Sequence, residues 1–180
     1  MKFKEEIDRE VPKDDSTSEG ERMLLYWLVK ELKPKVVIET GTHRGLTSLY
    51  MAHALYENGV GHLTTYDPFE WGQRGNFAKF LELMPYVTYK QKPGKEMDES
   101  DIDFAFIDGF HNFKDVFDEI RVLLPRLAKN ATVVFHDCWP TETGGIDVNG
   151  AIEAFNLKNV WLPTKNAIRI YTNEYLSLNA

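Results

Sequence analysis

The segment Val36-Val37-Ile38-Glu39-Thr40-Gly41-Thr42-His43-Arg44-Gly45-Leu46-Thr47-Ser48 constrains the fold more than any other part of the chain. Lys35 to Ile38 is a short β-branched apolar run, the pattern of a parallel strand buried on both faces. Glu39 stands at its tip, two glycines relieve backbone strain where the strand reverses, and Leu46 opens a helical pattern. Such a turn directs N–H groups and a positive helix end toward a cleft, which suits an anionic ligand group. Strand, turn and helix together place a ligand site at the carboxyl edge of an open sheet.

The chain has 180 residues, enough for one domain with a substantial core. Its formal charge of -7 disfavours phosphate-backbone binding as the main task. Cys138 is the single cysteine, so no intrachain disulfide can form. No apolar run is long enough to span a bilayer, and Met-Lys-Phe-Lys-Glu-Glu does not read as a signal peptide. The expected setting is cytoplasmic, with no membrane or nucleic-acid partner.

Residues 1–17 are charged, contain Val11-Pro12 and Asp14-Asp15, and read as an arm with little structure of its own. The remaining residues, 18–180, read as one domain. Ser18 with Glu21 forms a candidate capping box for a helix over Glu19–Leu32. Strands are expected over 35–39, 62–67, 86–91, 103–107, 132–136, 160–163 and 167–171. Helices are expected over 46–57, near 76–83, 113–127 and 150–155, and a glycine-rich loop runs through Gly145. Strands alternating with helices predict an α/β fold, a mostly parallel sheet covered on both faces. Thr164-Lys165-Asn166 is short enough for a hairpin, so the last strand should run antiparallel.

Four strand ends carry polar chemistry. Glu39-x-Gly41-x-x-x-Gly45 departs from the Gly-x-Gly-x-x-Gly dinucleotide fingerprint. An acid beside the turn would repel a pyrophosphate and suit a cationic amine or sulfonium. Asp67 ends the next strand, where an acid accepts hydrogen bonds from ribose hydroxyls or caps a turn before Pro68. Ile107-Asp108-Gly109-Phe110-His111 delivers Asp108 to the cleft, with His111 three residues on. Val134-Phe135-His136-Asp137 does the same on the following strand. On adjacent strands, Asp108, His136 and Asp137 would form an oxygen- and nitrogen-rich corner fit for a divalent cation. Cys138 reads as a small buried filler, and His43 and Arg44 as ligand contacts or solvated turn residues. Phe69, Trp71, Phe77, Phe110 and Trp139 read as pocket walls or core.

With these stations in order, the chain resembles the class I S-adenosylmethionine-dependent methyltransferases. Within that class it is similar to family-24 type O-methyltransferases, relatives of the macrocin O-methyltransferase and cephalosporin hydroxylase group. The resemblance rests on Glu39–Ser48, Asp67, Ile107–His111 and Val134–Asp137, and extends over residues 20–172. It implies a Rossmann-like seven-stranded sheet in the order 3-2-1-4-5-7-6. It also implies that Gly41, Thr42, His43 and Gly45 surround the methionine moiety, that Thr47 meets its carboxylate and that Asp67 meets the ribose. Glu39 and Asp108 would border the same cofactor. In metal-dependent relatives, positions matching Asp108 and the pair His136-Asp137 hold magnesium, and the position matching His111 is the general base. His136 replaces an acid there, and Lys129-Asn130-Ala131 replaces the usual Gly-Gly before strand five.

The function expected from this resemblance is O-methylation of a small hydroxylated acceptor, with His111 and Asp108 in the catalytic site and a divalent ion such as Mg2+ assisting. The chain has no obvious lid domain, which leaves room for a homodimer to complete the acceptor site. Two other readings remain open on the residues alone: a nicotinamide-dependent Rossmann-like oxidoreductase, and a non-catalytic ligand-binding module.

Overall fold

The computed structural model describes residues 2–13, 16–139 and 147–173. Seven strands, β1 (Val36–Thr40), β2 (His62–Tyr66), β3 (Val87–Lys90), β4 (Ile102–Ile107), β5 (Leu127–Phe135), β6 (Asn159–Leu162) and β7 (Ile168–Thr172), form one sheet. Their order is β3-β2-β1-β4-β5-β7-β6, as the resemblance implies. The pairings from β3 through β5 are parallel, and β7 enters antiparallel between β5 and β6.

Helices cover both faces, so the alternating side chains of each central strand enter two different cores. On one face Val37, Phe104, Phe106 and Val134 pack with Leu25 and Val29 of α2 (Glu19–Leu32) and Leu49 of α3 (Leu46–Asn58). On the other, Ile38, Ala105, Ile107 and Val133 pack with Ile120 and Leu123 of α5 (Phe113–Leu123) and Ile152 of α6 (Val148–Ala154). The capping box forms as expected: the Ser18 hydroxyl accepts from the Glu21 N–H, and the Glu21 carboxylate accepts from the Ser18 N–H at 2.7 Å.

Three expectations change. The N-terminal arm is not an appendage: Lys4–Glu10 forms α1, and Phe3, Ile7 and Val11, spaced four apart on one helical face, are buried in the core beside α3. Tyr50 of α3 donates a hydrogen bond to Asp8 at 2.8 Å, fixing that helix further. The helix expected near 76–83 is instead a short α4 (Gln73–Phe77) followed by tight turns. Phe77, Phe80 and Leu83 are buried at intervals of three, linked by Phe80 N–H to Phe77 C=O and Leu83 N–H to Phe80 C=O bonds. A spacing of three suits that tighter winding better than an α-helix. Finally, Lys129-Asn130-Ala131 lies within β5 and not in a turn before it. Ile102 pairs with Leu127 but Phe104 with Thr132, so β5 bulges by the extra residues.

The glycine-rich stretch around Gly145 falls in 140–146, outside the described residues. Among the described residues no helix is long and apolar enough to cross a membrane. Docking of α1 has a direct consequence. Ile7→Ala should lower the free energy of unfolding by about 2–5 kcal/mol, the range for a buried large-to-small change. Equilibrium urea unfolding measures this, and a change within about 0.5 kcal/mol, the size expected at a surface position, would mean that α1 is not part of the core.

Candidate active site

The parallel register brings the carboxyl ends of β1, β2, β4 and β5 to one edge, where a cavity of about 440 Å³ opens. That volume lies within the range of small-molecule sites. Gly41, Thr42, His43 and Thr47 line it from the turn after β1, and Asp67, Asp108, His111 and Asp137 from the other strand ends.

The turn is built by close approach. Gly41 has φ +85°, and a Cβ there would meet the Asp108 carbonyl carbon at 2.6 Å, so only glycine lets β1 turn directly against β4. The Gly41 N–H donates to the Tyr66 carbonyl at 2.8 Å, the Gly45 N–H to the Thr42 carbonyl at 2.7 Å, and the His43 N–H to Asp67 at 2.8 Å. These donors are therefore spent inside the turn. The donors left for a ligand are those at the start of α3, where Gly45 at the N-cap provides no side-chain cap and Leu46 and Thr47 line the cavity. Asp67 also accepts from the Phe69 N–H at 2.9 Å, so it stiffens the loop while each oxygen retains acceptor capacity.

Glu39, expected to border the cofactor, does not line the cavity. Its side chain lies on the same sheet face as Val37, beneath α3, where it is fully buried and accepts from the hydroxyls of Ser48 and of Thr65, the latter at 2.5 Å. Burial, only partly offset by those two donors, pushes its pKa up to about 8. An acid neutral at pH 7 offers no charge to a sulfonium. Gly45 likewise does not line the cavity; its place is structural, since a Cβ there would meet the Phe77 ring at 2.9 Å.

The ends of β4 and β5 carry the charged centre. His111 Nε2 lies 3.1 Å from Asp137 Oδ2 and 3.6 Å from Asp108 Oδ1. Ligand atoms of Asp108, His111 and Asp137 all lie within 4.8 Å of one another, a donor set suited to a divalent cation. His136, expected as a metal ligand, is absent from this set. It is buried behind the cavity, with Nδ1 2.9 Å from Asp108 and Nε2 3.5 Å from Glu21, although neither contact has the alignment of a hydrogen bond. Burial disfavours its charge, but Asp108, Asp137 and Glu21 outweigh that and push its pKa up to about 12. Burial also works against ionisation of Asp108, yet the charges of His136 and His111 hold its carboxyl below the ordinary value. Asp108 first, and Asp137 after it, in turn raise the pKa of His111 against partial burial and the charge of His136.

Three contributors escape sequence reasoning. Glu21, read only as a cap, is fully buried, takes the Asn166 N–H at 2.8 Å and is held ionised, against its burial, by His136 and these N–H groups. Asn166 sits in the β6–β7 hairpin and lines the cavity. Glu119 of α5 reaches the cavity between two glycines, and its signal was present: it lies three residues after Val116, on the apolar side of the helix. Phe69, Trp71 and Phe110 wall the mouth, whereas Phe77 is core. Cys138 is a buried thiol with its pKa pushed up to about 12 by burial, the filler it was expected to be.

Glu39 yields a pH test. The unfolded carboxyl ionises near 4.5 while the folded one keeps its proton to about 8, so stability conferred below pH 4.5 is lost as pH rises through that window. Glu39→Gln removes this proton uptake, and its melting temperature should fall less between pH 5 and 9 than that of the unsubstituted protein. Parallel melting curves would contradict the assignment.

Comparison with known proteins agrees with this geometry. A family model described as a methyltransferase domain, of family 24, matches residues 38–138, more than half of the chain. An uncharacterized protein of Sinorhizobium fredii, y4gI, is 25% identical over 136 residues, which span 66% of this chain but 15% of the relative's length. Among solved structures, the methyltransferase PaMTH1 of Podospora anserina, bound to S-adenosylhomocysteine, superposes with a TM-score of 0.72 at 16% identity, covering 92% of this chain and 83% of that one. An O-methyltransferase of Bacillus cereus in complex with S-adenosylhomocysteine gives 0.68 at 15% identity, covering 92% and 94%. The O-methyltransferase TomG of Streptomyces achromogenes, in complex with S-adenosylmethionine, gives 0.65 at 15% identity, covering 92% of each chain. These likenesses establish the fold, and the family match over the site residues establishes kinship: the chain belongs to the family-24 methyltransferase domains, with the class I S-adenosylmethionine-dependent methyltransferase fold.

Proposed function

We propose that this protein transfers a methyl group from S-adenosylmethionine to a hydroxyl oxygen of a small acceptor. The observation that carries this reading is the convergence of the Gly41–Thr47 turn, Asp67 and the Asp108–His111–Asp137 cluster on one cavity. The O-methyltransferases among the structural neighbours support the same reading.

The uncapped first turn of α3 offers N–H donors and a positive helix end to a cofactor carboxylate, with the Thr47 hydroxyl beside them. Asp67 accepts from ribose hydroxyls with the lone pairs its backbone partners leave free. The cofactor supplies an electrophilic sulfonium methyl group. The walls of the cavity hold the acceptor oxygen in line, which contributes much of the rate by positioning.

His111 removes the hydroxyl proton through Nε2. It must be neutral to do so, and its carboxylate neighbours raise its pKa, so turnover should climb as pH rises through that raised value. Asp108 and Asp137 form the carboxylate pair that would hold a divalent cation, whose charge would lower the pKa of an acceptor hydroxyl. His136 serves Asp108 from behind, as a buried cation that keeps the carboxylate ionised.

Formation of S-adenosylhomocysteine, followed by mass spectrometry with catechols and simple glycosides as acceptors, tests the reading. His111→Ala should reduce turnover by about 10²–10⁴-fold, the usual worth of a general base, without weakening the binding of S-adenosylhomocysteine. If cofactor binding falls while turnover per bound enzyme holds, the base assignment is wrong. Exhaustive chelation and Asp137→Ala should each depress activity, and activity that survives both removes the ion from the mechanism. A loss of Mn2+ affinity in His111→Ala would make His111 a ligand and not the base.

A further inference from the structure

Glu119 has no part in the chemistry above, yet it is built into the cavity. It is 3% exposed and lines the cavity from α5. One carboxylate oxygen, Oε2, accepts from the Thr40 hydroxyl at 2.9 Å. Oε1 has no hydrogen-bond partner among the described residues. Two glycines leave room for it: a Cβ at Gly94 would lie 2.6 Å from Oε1, and a Cβ at Gly109 would lie 2.9 Å from the same atom. Oε1 keeps some exposure to the cavity that Glu119 lines, so a ligand donor there would meet an open acceptor.

The linear chemistry of the cofactor decides which donor fits. Its amino-acid end belongs at the Gly41–Thr47 turn, which leads into α3 on one face of the sheet. Its ribose belongs at Asp67, on the end of β2. Glu119 comes from α5 on the opposite face, beside Pro93 and Gly94, which follow β3, and Gly109, which follows β4. Gly94 and Gly109, which lie against the Glu119 carboxylate, line the cavity together with Pro93 and Phe110. The cofactor donor at this end is the exocyclic amine of its purine.

We infer that Glu119 is a specificity-determining residue that reads the purine base of the cofactor, its free carboxylate oxygen accepting a hydrogen bond from the 6-amino group. This inference rests on the proposed use of S-adenosylmethionine. A 6-oxo purine in the same place would set a carbonyl oxygen against the ionised carboxylate, so above the Glu119 pKa of about 7 the site selects amino over oxo. Burial already pushes the Glu119 pKa up to about 7, and an amine donor at Oε1 would favour the ionised form.

Calorimetric titration of the intact protein with S-adenosylhomocysteine and with S-inosylhomocysteine, at a pH well above the Glu119 pKa of about 7, tests it. The two probes differ at the 6-position, amino against oxo, and at N1, which carries a hydrogen in the oxo purine. The unsubstituted protein should prefer the adenosyl compound by about 10–100-fold, the effect of leaving one largely buried acceptor unmatched. In Glu119→Gln the amide can turn either its oxygen or its NH2 to the base, and the preference should collapse. Glu119→Met, which keeps volume but removes the acceptor, should lose it as well; the ratio of affinities is read on folded protein, checked by circular dichroism. Equal ratios in the unsubstituted protein and both variants, or no preference at the outset, would overturn the role of Glu119 while leaving cofactor binding intact. Failure of the unsubstituted protein to bind S-adenosylhomocysteine would instead overturn the proposed function, and this inference with it.

Discussion

The contact on which the site depends is the approach of the Gly41 backbone to that of Asp108. In the parallel register Thr40 pairs with Ile107, so the two strands end together and their turns begin side by side. The Asp108 N–H donates to the Thr40 carbonyl at 3.1 Å, which extends the ladder one residue past the strand ends. With no Cβ at residue 41, the turn after β1 lies directly against the backbone of Asp108. The two cavity-lining turns are thereby neighbours through backbone geometry, before any side chain contributes.

Charge is the second constraint. A chain of net charge -7 gathers Glu21, Asp108 and Asp137 around two imidazoles at the end of β5. Burying one of these carboxylates alone would be expensive, and the protonated His136 offsets that cost from inside the fold. Glu39 and Glu119 avoid part of the same cost, because burial raises their pKa values to about 8 and about 7. The result is a division among acids: Glu21 and Asp108 held below their ordinary values around His136, Glu39 and Glu119 raised by burial to near or above neutrality.

Much of the fold was legible locally. Alternating apolar residues, Ser18 with Glu21, and Asn58-Gly59 each act within a few residues, and the helices and strands they specify appear where expected. The short hairpin likewise disclosed the antiparallel β7. The site was legible as strand ends but not as directions. Glu39 and Asp108 both end apolar strands, yet one faces α3 and the other the cavity, a difference that depends on which helix covers which face. His136 could not be separated from its neighbours because its partner Glu21 lies far away in the chain and already had a local reading as a cap. Glu119 was visible only as an acid on an apolar helix face, which becomes informative once Gly94 and Gly109 are known to flank it.

The central claim is that the cavity at the ends of β1, β2 and β4 receives a methionine-derived nucleoside cofactor and not a dinucleotide. Calorimetry with S-adenosylhomocysteine and NADH side by side, under one set of conditions, addresses it most directly. The account predicts saturable binding of S-adenosylhomocysteine, and none of NADH, because the acid-x-glycine turn spends its N–H groups internally and has no glycine pair to receive a pyrophosphate. Saturable binding of NADH with no response to S-adenosylhomocysteine would contradict it.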